Sequence, residues 1–310
     1  MRIAIVGQQD FGKAVLEAFL ARGDQAAGVF CAPEKPGARA DALKVAAEEK
    51  GVPVFQFPSL KSPEATAKMR ELKADIGIMA FVLQFAPQDF VKIPKHGTIQ
   101  YHPSLLPKYR GPSSINWPII RGETKTGLSI FRPTDGLDEG PVILQKETPI
   151  APDDTLGTVY FDRLFPMGVK AMLEAADLVA AGKHREAAQD ESQASYEGWC
   201  RKNEARLHWA NHVDFIYNTI RGCNPAPGAW TTLAGAELQI FDARKHLVRT
   251  FGAVKGKIGE VVEVTDRSFQ VSAQGGRIEV LRAKLGDGKK VAAAELLSAG
   301  AIKAGMVLGA

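Results

Sequence analysis

The first 80 residues alternate short apolar runs with amphipathic segments. The apolar runs at residues 2–6, 27–30, 52–57 and 75–81 predict β-strands. The segments between them, residues 13–22, 43–50 and 62–72, carry apolar residues at helical spacing, and a glycine follows the first two. Such alternation predicts a parallel sheet with helices on both faces. We therefore expect the first half of the chain to be an open, Rossmann-like α/β domain.

The pattern changes in the last third of the chain. Residues 155–181 predict a helix, and the polar stretch at residues 183–193 is typical of a linker. Another helix is predicted at 212–221, followed by short strands at 236–243, 257–264, 268–273 and 277–283. Short strands separated by glycine or charged turns predict a small OB-like β-barrel. We expect a first domain at 1–182, a linker at 183–203 and a second domain at 204–310.

The composition is that of an ordinary globular protein, with 45% hydrophobic and 24% charged residues. It excludes a largely disordered chain. Apolar runs are shorter than the roughly 18 residues that a membrane span needs, and the N-terminus lacks a secretory pattern. The three cysteines are far apart and form no CxxC pair. We therefore expect a cytoplasmic protein without a membrane partner or a metal site.

The net charge of +4 is unevenly distributed along the chain. Residues 201–310 contain 16 Lys and Arg against 10 Asp and Glu, whereas the first 200 residues are slightly acidic. A basic second domain permits contact with a nucleic acid. An ordinary solvated basic surface explains the same charge equally well.

Two loops after predicted strands carry side chains suited to catalysis. His102 directly follows a strand at 97–101, and Asp138 lies in a glycine-bounded loop after a strand at 127–131. Ligands of open α/β sheets bind beyond the carboxyl ends of strands, so we expect the two loops to meet. A carboxylate beside an imidazole orients it and favours its protonated form. Gln100 lies on the same side of its strand as His102 and adds an amide donor. These groups together can stabilise an oxyanion and move protons.

Three other features have weaker interpretations. Residues 7–13 resemble nucleotide-binding loops, but Gln9 replaces the second glycine of GxGxxG and Ala14 replaces the hydroxyl residue of a Walker A loop. A tightly packed turn is the favoured interpretation, and anion binding at the helix N-terminus is the alternative. Ser104 lacks an identifiable oxyanion loop for covalent catalysis and remains a candidate substrate contact. Arg110 is either an anion contact or a solvated charge.

The run QYHPSLLPKYRG at residues 100–111, together with DGLDEG at 135–140, resembles the folate-dependent formyltransferase family. Residues 196–209 and 221–230 look like the linker and the start of the second domain in methionyl-tRNA formyltransferases, so the resemblance covers essentially the whole chain. It implies transfer of a formyl group from 10-formyltetrahydrofolate, with release of tetrahydrofolate and without a metal. It also implies that Gln100, His102 and Asp138 are the catalytic residues.

The resemblance further implies that folate binds at the ends of the strands in the first domain. The implied contacts lie in two segments and are Phe81, Val82, Leu83, Gln84 and Phe85, and then Asp135, Gly136, Leu137 and Gly140. Gln100 departs from the family pattern, since the transferases carry Asn at this position and the related hydrolase domain carries an apolar residue. The extra methylene changes where the amide donor lies.

The formyl acceptor is left open by the sequence. The basic second domain favours methionyl-tRNA, whereas local runs at 84–87, 101–104, 115–117 and 196–198 resemble the hydrolase domain of 10-formyltetrahydrofolate dehydrogenase, in which water is the acceptor. A sugar-nucleotide amine and a non-catalytic folate-binding module are further alternatives. No aldehyde dehydrogenase domain follows in this sequence, so we do not expect the oxidative reaction.

Overall fold

The computed structural model describes residues 1–250 and 254–309, which fall into two compact units. Unit 1 comprises Met1–Gly111, Gly127–Thr148 and Arg163–Tyr196, and unit 2 comprises Pro112–Thr126, Pro149–Asp162 and Glu197–Ala310. The predicted boundaries at 1–182, 183–203 and 204–310 differ from this division. Residues 112–126 and 149–162 cluster with unit 2, and most of the predicted linker clusters with unit 1.

The strands and helices follow in chain order. The strands are β1 Arg2–Gly7, β2 Gln25–Phe30, β3 Val54–Phe55, β4 Ile76–Ala80, β5 Thr98–His102, β6 Lys125–Phe131, β7 Val142–Pro149, β8 Ala229–Leu233, β9 Ala236–Leu247, β10 Val261–Val264, β11 Phe269–Ala273, β12 Gly276–Leu285 and β13 Val291–Ala292. The helices are α1 Gln9–Ala21, α2 Ala42–Glu49, α3 Pro63–Leu72, α4 Gln88–Val91, α5 Asn116–Ile120, α6 Leu156–Val159, α7 Phe165–Ala180, α8 Val213–Gly222 and α9 Ala293–Ser298.

Unit 1 contains a seven-stranded sheet in the order β3-β2-β1-β4-β5-β6-β7. Its first five strands are parallel, as predicted, and β1 and β4 lie side by side although two strands separate them in sequence. Apolar residues alternate between the two faces of β1. Ile3 and Ile5 pack in the cluster that contains α1 and α7, and Ala4 and Val6 pack in the cluster that contains α3 and α4. Helices therefore cover both faces, and the predicted Rossmann-like class is confirmed.

Beyond the strands of the first 80 residues, the sheet is mixed, and β6 departs from the parallel arrangement. This strand runs antiparallel to β5, with Gln100 opposite Phe131 and His102 opposite Ser129. An antiparallel neighbour needs no crossover over the face of the sheet. Both faces of β6 are buried, so its apolar pattern is the same whether it runs parallel or antiparallel to β5. The sequence therefore could not reveal the antiparallel direction.

The single helix predicted at 155–181 is interrupted. A π-helical turn, Tyr160–Leu164, separates α6 from α7. Pro166 lies in the first turn of α7. Proline has no N–H to donate and is tolerated in the first turn of a helix, where that donor has no partner in any case. The interruption is therefore compatible with the local sequence.

The glycine turn between β1 and α1 has a packing role. A Cβ at Gly7 would lie 2.1 Å from the carbonyl oxygen of Ala80, the last residue of β4. The first amide of α1, on Gln9, donates to both carboxylate oxygens of Asp41, at 2.9 and 3.0 Å. The N-terminus of this helix thus already holds an anion, which is a side chain of the same protein. These contacts favour the packed-turn interpretation of residues 7–13.

Unit 2 is built around a six-stranded antiparallel β-sheet. The strand order is β10-β11-β12-β9-β8, and β13 pairs with β12. The C-terminal segment bridges both edges, because Val307 pairs with Glu260 beside β10 and Leu308 pairs with Leu233 of β8. This segment joins the two edges and closes the sheet into the small OB-like barrel that the strand pattern predicted.

Within residues 1–250 and 254–309, no helix is both long enough and apolar enough to cross a bilayer.

Candidate active site

The carboxyl ends of β4 and β5 lie at the same edge of the sheet. The two strands are parallel and Met79 pairs with Gln100, so residue 81 and His102 follow at equivalent levels. Gln100 and His102 lie on one face of β5, while Ile99 and Tyr101 belong to the core on the other face. This agrees with the predicted period of two. His102 is buried, and Gln100 is partly exposed.

His102 and Asp138 form a buried pair. The distance from His102 Nδ1 to Asp138 Oδ2 is 3.5 Å, and each side chain is 7% exposed. The other ring nitrogen, Nε2, lies 2.9 Å from the carbonyl oxygen of Tyr109. A carbonyl only accepts, so Nε2 carries a hydrogen and donates it. Nδ1, facing the carboxylate, is therefore the nitrogen that is available to a reacting group.

Asp138 reaches His102 by a route that the sequence did not indicate. We expected neighbouring parallel strands to bring the two loops together, but β6 is antiparallel and ends opposite Gln100. The loop after β6 folds back on itself, since the Arg132 N–H donates to the Pro141 carbonyl at 3.0 Å. A Cβ at Gly140 would lie 1.6 Å from the Arg132 carbonyl oxygen, so this fold of the loop requires glycine.

The Asp138 carboxylate is held from a second side. Its Oδ2 accepts the Gly111 N–H at 2.9 Å. Asp138 has φ of +57°, a left-handed backbone conformation that L residues rarely adopt. Tyr109, whose carbonyl binds His102, has the same φ of +57°. Strained residues persist only where their surroundings hold them in place, and they concentrate at functional sites.

Ser104 is fully buried inside the loop that follows His102. Its hydroxyl donates to the Lys108 carbonyl at 2.7 Å, and its own carbonyl accepts the Ser129 hydroxyl at 2.7 Å. The hydroxyl therefore stabilises the turn. This placement gives no support to the candidate role of Ser104 as a substrate contact.

Arg110 is buried rather than solvated, which corrects one of its two sequence interpretations. The residue is 2% exposed, and its guanidinium binds both carboxylate oxygens of Glu191 at 2.6 and 2.9 Å. The same group donates to Gln189 Oε1 at 2.8 and 3.1 Å. The hydrogen bond to Glu191 raises the pKa of Arg110, so the group stays charged. Arg110 does contact an anion, but that anion belongs to the protein.

Residues 187–196, which we call the strap segment, lie against the two loops that carry His102 and Asp138. Gln189 donates to the carbonyls of Asp138 and Gly140, and the Tyr196 hydroxyl donates to the Leu137 carbonyl. The Ser195 hydroxyl accepts the Tyr109 N–H. Most of this stretch falls in the predicted polar linker, and these contacts were not predicted. Polar side chains that bind backbone carbonyls leave no periodic signal in a sequence.

The loop after β4 presents a row of apolar side chains. Phe81, Leu83 and Phe85 are 41%, 55% and 46% exposed, whereas Val82 packs against the core. The Gln84 amide donates to the Phe57 carbonyl at 2.8 Å, which holds the loop. An exposed apolar row at the edge of a sheet is typical of a surface that a ligand covers.

The other predicted folate contacts lie in the loop that carries Asp138. Leu137 is exposed and extends the apolar character of the site, Asp135 is exposed, and Gly140 is buried in the fold of the loop. In the described part of the chain, no group of three or more His, Cys, Asp or Glu side chains is arranged to hold a metal ion.

Unit 2 carries two tryptophan rings beside basic side chains, of which Trp199 is exposed and Trp230 is partly buried. The Arg201 guanidinium lies 5.4 Å from the Trp199 ring centre, and Lys202 and Arg206 lie 5.2 and 5.4 Å from that of Trp230. A depression of about 490 Å³ is lined by Trp199, Arg201, Lys202, Asn203 and Glu204. Aromatic rings that stack on bases, beside cations that bind phosphates, are typical of surfaces that bind single-stranded nucleic acid.

Comparisons with known proteins cover both units. The formyl transferase family model matches residues 1–176, and the formyl transferase C-terminal domain model matches residues 200–300. Cytosolic 10-formyltetrahydrofolate dehydrogenase of Mus musculus is 43% identical over 248 residues, which cover 78% of this chain and 27% of the dehydrogenase. Methionyl-tRNA formyltransferase of Syntrophus aciditrophicus is 35% identical over 312 residues, which cover 99% of this chain and 98% of the relative. The chain thus spans about a quarter of the length of the dehydrogenases that it matches.

A solved structure shares the fold at low sequence identity. It is an N-formyltransferase from Helicobacter canadensis in complex with folinic acid and dTDP-3-aminofucose. The TM-score is 0.69 at 20% identity, and the match covers 90% of this chain and 98% of that one.

Proposed function

Because this chain belongs to the formyl transferase family, we propose that it transfers the formyl group of 10-formyltetrahydrofolate to an amine and releases tetrahydrofolate. The observation that carries the proposal is the buried His102–Asp138 pair, with Nδ1 and Oδ2 3.5 Å apart, at the edge of the sheet where β5 ends. Gln100 lies on the same face of β5 as His102. A desolvated acid–base pair beside an amide donor suits a reaction that develops charge on a carbonyl oxygen.

The acceptor nitrogen attacks the formyl carbon, and the carbonyl π electrons move onto the formyl oxygen. In this proposal His102 is protonated, and its Nδ1–H and the amide of Gln100 donate to this oxyanion. The acceptor ammonium passes its proton to Asp138, directly or through a water. The oxyanion then re-forms the carbonyl, the bond from carbon to the folate N10 breaks, and N10 receives the proton. Loss of one donor to an oxyanion typically lowers kcat by about 10²–10³.

The folate is proposed to lie over the exposed row of Phe81, Leu83 and Phe85. Leu137 would extend this row, and backbone groups of residues 135–140 would bind the polar edge of the pterin. Three exposed apolar side chains in one five-residue loop support this placement. A planar ligand would remove them from water, which stabilises the complex.

The acceptor is proposed to be the amino group of methionyl-tRNA. The match to a methionyl-tRNA formyltransferase supports this acceptor, because it covers 99% of this chain and 98% of that relative. The tryptophan and basic side chains of unit 2 and the basic charge of residues 201–310 favour a nucleic-acid substrate.

Water is the second candidate acceptor. The observation that favours it is the higher identity, 43%, to 10-formyltetrahydrofolate dehydrogenase over 248 residues. Water would take the position of the amine, and Asp138 would accept its proton in the same way. The product would then be formate instead of a formylated amine.

One assay separates the candidates. The full chain is mixed with 10-formyltetrahydrofolate, and the release of tetrahydrofolate is followed alone, with methionylated initiator tRNA, and with an amino-sugar nucleotide. Release that requires the tRNA and weakens steeply with added salt supports the proposal. Release without an acceptor identifies a hydrolase, and release only with the amino sugar identifies a sugar formyltransferase. Binding of folate without turnover in any arm contradicts the enzymatic function.

A further inference from the structure

We propose that the strap segment, residues 187–196, positions the catalytic pair, and that Gln189 is its central positioning residue. This inference rests on the proposed function of His102 and Asp138. Gln189 touches neither of their reactive atoms. It acts on the backbone that carries Asp138 and on Arg110, which follows the residue that binds His102.

Gln189 uses both ends of its side-chain amide. Its Oε1 accepts two hydrogen bonds from the buried Arg110 guanidinium, at 2.8 and 3.1 Å. Its Nε2 donates to the carbonyls of Asp138 and Gly140, at 2.8 and 2.7 Å. One neutral group thus links the two catalytic loops, and it has a donor and an acceptor where each is needed.

The two hydrogen bonds that Gln189 donates are made to a loop with an unfavourable backbone conformation. Asp138 has φ of +57°, and Gly140 approaches the Arg132 carbonyl too closely for any side chain. Without outside contacts, such a loop would relax toward commoner conformations. Gln189 supplies these contacts on the carbonyl side, while the Gly111 N–H holds the Asp138 carboxylate.

Tyr196 holds the residue before Asp138. Its hydroxyl donates to the Leu137 carbonyl at 2.7 Å. Desolvation and the nearby carboxylates of Glu139 and Asp138 raise the pKa of Tyr196, so its hydroxyl keeps the proton that it donates. The loop is therefore held on both sides of the catalytic carboxylate.

Ser195 holds the loop that orients His102. Its hydroxyl accepts the Tyr109 N–H at 2.8 Å, and its carbonyl accepts the Arg110 N–H at 2.9 Å. The Tyr109 carbonyl in turn accepts from His102 Nε2. One short segment therefore determines the position of both members of the pair, whose 3.5 Å separation the reaction uses. A displacement of about 1 Å in an active site can cost about a hundredfold in rate.

The test compares two Gln→Glu substitutions in the same segment. Gln189→Glu keeps the oxygen that accepts from Arg110 but replaces the amide donor with an oxygen that faces two carbonyls. Gln193→Glu makes the same chemical change at an exposed position two residues after the Glu191–Arg110 contact. We expect Gln189→Glu to lower kcat about 10- to 100-fold. We expect the KM for 10-formyltetrahydrofolate to stay within about twofold, and Gln193→Glu to match the unmodified protein.

Amide hydrogen exchange of residues 137–140 provides a readout that does not require turnover. Faster exchange in Gln189→Glu, together with the loss of kcat at unchanged KM, supports positioning. A kcat within about twofold of the unmodified protein, or a rise in KM at constant kcat, overturns it. If the unmodified protein shows no turnover, the proposed function fails, whereas the exchange measurement still tests whether Gln189 holds the loop.

Tyr196→Phe keeps the test decisive if Gln189→Glu does not fold. It removes one donor from an exposed ring and leaves the ring itself in place. We expect a smaller loss of kcat, about 3- to 10-fold, since one of the contacts that hold the loop is removed. An unchanged kcat and unchanged exchange at residues 137–140 in this variant would overturn the role of the strap segment.

Discussion

The two units use buried polar side chains in different ways. In unit 1, His102, Asp138 and Arg110 are buried beside strained backbone, and their contacts converge on one acid–base pair. In unit 2, buried polar groups secure loops. Arg221 donates to the Asp154 carbonyl at 2.7 Å, and Asn224 donates to the Phe241 carbonyl at 3.1 Å.

The positions of the candidate functional groups differ accordingly. Those of unit 2 are tryptophans with cations beside them at the surface, such as Trp199 with Arg201. Proton transfer and oxyanion stabilisation gain strength when water is excluded, because electrostatic interactions are stronger at low dielectric constant. A large polyanion is recognised by exposed charges and rings. Under the proposed function, this contrast places the chemistry in unit 1 and the recognition of the acceptor in unit 2.

The largest expected effect tests the chemistry in unit 1. Asp138→Asn keeps an oxygen for the Gly111 N–H but loses the carboxylate that we propose to take the proton. We expect kcat to fall by at least about 10²–10³ while the melting temperature stays close to that of the unmodified protein. Steady-state kinetics and thermal unfolding measure the two effects. Glu139→Gln, a neutralised exposed neighbour, is the control, and an Asp138→Asn protein that retains most of its activity would show that the roles are misassigned.

An intermediate effect is expected at the apolar row. Phe85→Ala removes a ring that we propose to cover the folate. We expect the KM for 10-formyltetrahydrofolate to rise about tenfold with little change in kcat, since covering part of a phenyl ring contributes about 1–2 kcal/mol. Phe161→Ala removes an exposed ring from unit 2 and serves as the control. Equal KM values for the two variants would argue against the proposed folate position.

The smallest effect is expected at the surface of unit 2. Arg201→Ala removes the cation beside Trp199. We expect the KM for methionyl-tRNA to rise about 3- to 10-fold and the salt dependence of binding to weaken by about one ionic contact. Arg267→Ala removes a cation that is also in unit 2 and highly exposed. If both variants raise the KM equally, the effect is one of overall charge and the surface around Trp199 has no special role.

Local chemistry made part of the site predictable. The period of two along β5 was enough to place Gln100 and His102 on one face. The approach of Asp138 to His102 was also expected, but for a reason that the structure contradicts. The antiparallel direction of β6 leaves its end opposite Gln100, and the folded loop at residues 132–141 brings the carboxylate back.

The strap segment was not predictable, because its contacts are specific and aperiodic. Gln189 binds two carbonyls and one guanidinium, and the nearest of these partners in sequence is 49 residues away. The burial of Arg110 was not predictable either, because its guanidinium binds Gln189 and Glu191, which are distant from it in sequence. A charged or amide side chain in a polar stretch looks the same in sequence whether it is solvated or buried.

The sequence by itself determined the alternation of strands and helices, the class of each unit, the shared face of Gln100 and His102, and the family motifs. These features follow from short-range periodicity and from local steric rules, which neighbouring residues satisfy among themselves. Only the tertiary structure decided the direction of β6, the fold of the Asp138 loop and the return of residues 187–196 to the site. Each of these depends on hydrogen bonds between segments that are distant along the chain, and chain folding alone brings their donors and acceptors together.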